Sequence, residues 1–109
     1  MAYDEALAQR IRAALPDVHG LREKKMFGGI SFLVHGNMAC GVSGENLMVR
    51  IQPAATDAAL AQPFVRVFDM TGRPMKGWIL IEPAGVQSIN DLKHWIEQGV
   101  AFAQSLPPK

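Results

Sequence analysis

The chain has 109 residues, of which 49% are hydrophobic and 19% charged, with a formal net charge of +1. This describes one domain with a core of its own, and argues against a disordered tail or a strongly basic nucleic-acid binder. A single cysteine, Cys40, leaves no internal disulfide and no cysteine-based zinc site, while the N-terminus lacks a signal peptide's basic and apolar regions, so the cytoplasm is the expected location.

The first element expected is a helix from Asp4 to Leu15. Leu7, Ile11, Ala14 and Leu15 share one face, Asp4 complements the N-terminus and Pro16 stops the run. Four strands follow as an antiparallel meander. The first runs from Arg22 to Phe27 and meets the pair Gly28-Gly29. In the second, Ile30, Phe32 and Val34 lie on one face, with Ser31 and Leu33 on the other. After a tight turn at His35-Gly36-Asn37, Met38, Cys40 and Val42 share a face opposite Ala39, Gly41 and Ser43. A second turn at Gly44-Glu45-Asn46 leads to Leu47, Val49 and Ile51 facing in and Met48 and Arg50 facing out.

Pro53 ends the meander. The alanine-rich stretch Ala54 to Ala61 reads as a short helix and Phe64 to Phe68 as a strand. Thr71-Gly72-Arg73-Pro74 reads as a turn and Met75 to Glu82 as a strand. Ser88 caps a last helix whose buried stripe is Leu92, Trp95, Ile96, Gly99, Val100 and Ala103. Strands and helices in separate blocks indicate an α+β fold of two layers. Its antiparallel sheet has four meander strands and one or two later ones, with N-terminal, middle and C-terminal helices. No repeat or linker divides residues 1–109, and no apolar run reaches the roughly 20 residues of a membrane span.

Few residues promise chemistry. A phosphate-binding glycine loop feeds a helix N-terminus, whereas Gly28-Gly29 feeds a strand and reads as a bend or bulge. Cys40 shares a face with apolar neighbours, which predicts a core thiol rather than a nucleophile. His19, His35 and His94 have no metal spacing and read as solvated. The carboxylates are scattered, with no pair placed for acid/base work. No cofactor or metal is called for.

Two features could support binding. Arg22, Lys24, Lys25, Arg50, Arg66, Arg73 and Lys76 form a basic group able to hold phosphates or simply to protect a sheet edge. The last strand is apolar on both faces: Met75, Gly77, Ile79 and Ile81 alternate with Trp78 and Leu80. Leu33 and Met48 add to that second face, which needs either a covering helix or another subunit.

Several motifs in order carry a resemblance. Lys24-Lys25-Met26-Phe27-Gly28-Gly29, Phe32-Leu33-Val34, Gly36-Asn37-Met38, Leu47-Met48-Val49-Arg50 and Thr71-Gly72-Arg73-Pro74-Met75-Lys76-Gly77-Trp78 resemble the N-terminal domain of the TfoX/Sxy competence regulators. The match is closest to compact single-domain members and spans essentially the whole chain. It implies a secretion-chaperone-like α+β fold and a regulator of competence genes acting with other transcription factors. It transfers no catalytic residues. The hallmark Met26, Phe27, Gly28 and Gly29 looks structural, with Phe27 as core anchor and the glycines as a bend.

The leading expectation is therefore a non-enzymatic module that works through protein contacts, including a possible homodimer. Met48, Trp78 and Leu80 form its expected surface, with Arg50 and Arg73 at the rim. The alternatives are direct nucleic-acid binding through the basic group, and a small-molecule or enzymatic pocket near Trp95, Phe102 and Cys40.

Overall fold

The computed structural model describes residues 4–15, 17–26, 29–68 and 76–108. In chain order the elements are α1 (Glu5–Ala14), β1 (Leu21–Met26), β2 (Gly29–Val34), β3 (Asn37–Ser43) and β4 (Asn46–Arg50). A 3₁₀ turn (Pro53–Ala55) leads into α2 (Thr56–Leu60), β5 (Val65–Val67) and β6 (Trp78–Ile81). A second 3₁₀ turn (Pro83–Val86) precedes α3 (Ile89–Ser105). The expected turn at residues 71–74, together with Met75, Phe27, Gly28 and Arg73, lies outside the described residues.

The strands form one six-stranded antiparallel sheet in the order β1-β2-β3-β4-β6-β5. The meander is as the sequence indicates, and both later strands join it, with β6 inserted between β4 and β5. Val34 pairs with Asn37 around the two-residue loop His35-Gly36, and both loop residues have positive φ (49° and 84°). That backbone matches the right-handed twist of the strands it joins. The last strand begins later than its apolar pattern suggests. Gly77 adopts φ 88°, donates its N–H to Thr56 Oγ1 at 2.8 Å and accepts from Ile51 N at 2.8 Å, so it turns the chain into β6.

All three helices send buried apolar residues into one cluster on one side of the sheet. α3 lies on β3 and β4 along the stripe read from its periodicity. At Gly99 a Cβ would collide with the Ala39 carbonyl oxygen, so only glycine lets the helix approach this closely. Ser88 Oγ accepts from Asp91 N at 3.0 Å and Asp4 Oδ1 from Leu7 N at 3.2 Å, which caps α3 and α1. Arg12 of α1 reaches Glu23 of β1 at 2.7 Å and Glu5 at 3.2 Å, fastening the helix to the sheet's edge.

One face assignment needs correction. Met38 does not lie with Cys40 and Val42. The β2–β3 register slips between Phe32 and Leu33, so Phe32 faces Cys40 while Leu33 faces Met38. Ala39 is the extra residue of a β-bulge, and beyond it the alternation inverts. Ala39, Cys40 and Val42 enter the helix-covered core, and Met38 goes to the opposite side.

Candidate functional site

The face of the sheet away from the helices carries a second, smaller apolar cluster. Met38, Met48 and Phe68 are buried in it, and Trp78 and Leu80 pack against them half-buried. Strand alternation explains the set. Leu47, Val49, Ile79 and Ile81 point into the helical core, so the residues between them point away. Among the described residues no helix contributes to this cluster, and Phe68, just past β5, joins it beside Trp78, donating its N–H to the Trp78 carbonyl at 3.3 Å. A covering helix, one of the two expectations for this face, is therefore not what buries Met48. With 0% exposure, Met48 supports the surface from beneath instead of forming it.

Arg50 sits at the margin of the cluster, opposite Trp78 in the β4–β6 register. Its guanidinium carbon is 5.3 Å from the Trp78 ring centroid and 5.3 Å from that of Phe102 on α3. A cation between two aromatic rings is held in place by their negative faces, worth about 0.5–1 kcal/mol at an exposed site and more when desolvated. Arg50 is therefore a positioned charge that joins the helix-free face to α3.

The basic group is divided by the sheet. Arg22 and Lys24 pair with Leu33 and Ser31, which places them on the helix-free face. Arg66 pairs with Leu80 on the same face. Lys25 pairs with Ile30 and points to the helical side, and Lys76 is exposed in the turn before β6. Four cations thus share the face of the apolar cluster: Arg50 on β4 and Arg66 on β5 flank it, and Arg22 and Lys24 on β1 stand across β2 from it. Arg66 lies 3.8 Å from Glu82 in a solvent-exposed pair that contributes little. The Ser31 hydroxyl is buried on this face without a hydrogen-bond partner.

Within the hallmark motif, Met26 registers with Gly29 across the β1–β2 pair, and Phe27 and Gly28 lie outside the described residues. Gly29 is part of β2 in ordinary extended backbone. A Cβ there would strike the Val42 carbonyl oxygen, so close packing, not a bend, requires glycine at this position.

The groups with possible chemistry do not converge. Burial alone pushes the Cys40 thiol from 9.0 up to about 12, so it stays protonated and unreactive at neutral pH. The expected pocket near Trp95, Phe102 and Cys40 is filled: Cys40 and Trp95 are both buried. Phe102 instead borders a shallow depression of about 240 Å³ with Ile51, Gln52 and Gln98. His94 stacks edge-on against Trp95 at 5.1 Å and lies 2.9 Å from the Gln98 amide. His19 and His35 approach each other, with ring centroids 5.4 Å apart, a contact that fifteen intervening residues conceal in the sequence. Among the described residues no three His, Cys, Asp or Glu side chains gather as a metal site, and no helix is long and apolar enough to cross a membrane.

A family model described as the TfoX N-terminal domain matches residues 13–103. No curated protein and no solved structure matches.

Proposed function

The chain belongs to the TfoX N-terminal domain family, and from that membership we propose that it is a non-enzymatic regulatory module of the competence type that acts by protein contact. The observation that carries this reading is the helix-free face: an apolar cluster with half-buried Trp78 and Leu80 at its surface, sharing the face with Arg22, Lys24, Arg50 and Arg66. Half-buried aromatic and aliphatic side chains inside a polar rim are the anatomy of a contact surface, and tryptophan and arginine dominate binding energy at such surfaces. Arg73 belongs to the proposed rim on sequence grounds.

The charge favours one kind of partner. Two copies placed face to face would set these cations against their own counterparts, which is unfavourable. An acidic protein surface meets them with complementary charge. Near-neutral overall charge speaks against independent nucleic-acid binding, which needs several phosphate contacts and weakens steeply with salt.

The test is genetic and biochemical. In the source organism, deletion of the gene should alter competence transcripts, and the wild-type copy should restore them. A copy carrying Arg50→Glu and Arg66→Glu, folded as judged by its melting curve, should not. Restoration by that variant would contradict the reading.

A further inference from the structure

We infer that the outer edge of β1 is a docking strand for an extended segment of a partner protein with alternating apolar and acidic residues, which adds to the sheet as a seventh strand. This uses the backbone edge of β1 and not the apolar cluster; Arg22 and Lys24 are common to both surfaces, and the peptide test, which leaves Arg50 and Arg66 untouched, lets either proposal fail alone.

β1 stands at one end of the sheet and, among the described residues, pairs only with β2. At the other end β5 offers only Val65–Val67, whereas β1 offers Leu21–Met26. The hydrogen-bond phase is fixed by one contact. His35 N donates to Gly20 O at 3.0 Å, which makes Gly20 and His35 a hydrogen-bonded pair. Antiparallel pairs alternate, so Arg22–Leu33 and Lys24–Ser31 are the next hydrogen-bonded pairs along the register. Leu21, Glu23 and Lys25 therefore turn their backbone N–H and C=O groups outward. Leu21 N is used by Val18 O at 3.3 Å, while Glu23 and Lys25 present their backbone groups to an incoming strand.

The flanks of this edge are built to sort side chains. Between α1 and β1 lies a depression of about 370 Å³, floored by Leu15, Leu21 and Phe32 and walled by Arg12 and Glu23. Leu21 and Arg22 also border a second depression beneath His19 and His35. Alternate residues of an added strand would project over this apolar floor on the helical side. The residues between them would lie beside Arg22 and Lys24. Backbone bonds supply affinity in such strand addition and side-chain pockets supply selectivity.

Charge identifies the occupant. Glu23, the only acid of β1, is engaged by Arg12 at 2.7 Å. Among the described residues Arg22, Lys24 and Lys25 form no ion pair. A second copy aligned along the edge would face the same basic row, the arrangement that keeps edges from pairing with themselves. An acidic segment converts that repulsion into attraction.

The test is fluorescence anisotropy at low salt with a labelled peptide of alternating valine and glutamate, about six residues long. The whole chain should bind it at least about tenfold more tightly than a peptide with lysine in place of glutamate. Lys25→Pro removes an outward N–H and no bond to β2, so it should weaken binding by about tenfold. Lys24→Glu, which leaves the backbone intact and reverses a charge beside the peptide's acidic residues, guards against a folding defect. It should also weaken binding, and more so at low than at high salt. N-methylation of the peptide should abolish binding at alternate positions only. Equal affinity for the acidic and basic peptides, no binding of the acidic peptide, or N-methylation effects without alternation would each overturn the inference.

Discussion

The two faces of the sheet come from the same strands and reach different ends. On one side, Leu47, Val49, Ile79 and Ile81 meet three helices and are fully buried. On the other, Met48 is as deeply buried, but Trp78 and Leu80 beside it remain half-exposed on a face shared with four cations. The first face is closed by a helix that touches backbone at Gly99. The second is finished by side chains of the sheet and by Phe68. Stability belongs mainly to the first face, and the second has side chains to spare for a partner.

Adjacent residues of β6 give the sharpest contrast. Ile79→Ala should cost about 4 kcal/mol in urea unfolding and Leu80→Ala about 1.5 kcal/mol, because truncation costs scale with the apolar contact and cavity involved. Equal losses would mean that the second face is a core like the first. Gly99→Ala comes next. Its added methyl gains helix propensity of about 1 kcal/mol yet collides with the Ala39 carbonyl, so a net loss of about 2 kcal/mol is expected. A stabilised Gly99→Ala would show that α3 is less tightly seated than described.

Cys40 tests the same closed face by pH. Its thiol is held neutral when folded, from 9.0 up to about 12, so above pH 9 the unfolded chain loses a proton that the folded chain keeps. The stability linked to this group is complete below pH 9 and falls as pH rises towards 12, by up to about 1.4 kcal/mol per pH unit. Denaturation at pH 8 and pH 10.5 should therefore show a steeper decline for wild type than for Cys40→Ala. Parallel declines would place the thiol in contact with water. The smallest effect is at the margin: Arg50→Gln should cost about 1 kcal/mol, less in a Phe102→Leu background, because the two aromatic contacts are coupled through one guanidinium.

Much of this contrast is legible in the sequence. The α3 stripe and the alternation of β4 and β6 follow from periods that packing obeys. Met38 departs from the simple alternation because a bulge at Ala39 inverts it, with no glycine or proline at that position to mark the change. The late start of β6 depends on Gly77 taking a left-handed conformation, which its place in an alternating pattern with Ile79 and Ile81 conceals. The burial of Met48 was hidden because alternation gives the direction of a side chain and says nothing of what lies above it. The depression beside β1 needs Leu15, Leu21 and Phe32 from three separate elements, a convergence that only the tertiary fold creates.

The central claim, that the helix-free face is the working surface, is tested most directly by one charge reversal made on each side. Crosslinking capture from the source cell, quantified by mass spectrometry, would compare Arg66→Glu with Lys93→Glu on exposed α3. The account predicts that partners retained by wild type and by Lys93→Glu are lost with Arg66→Glu. Equal retention by both variants, or loss only with Lys93→Glu, would contradict it.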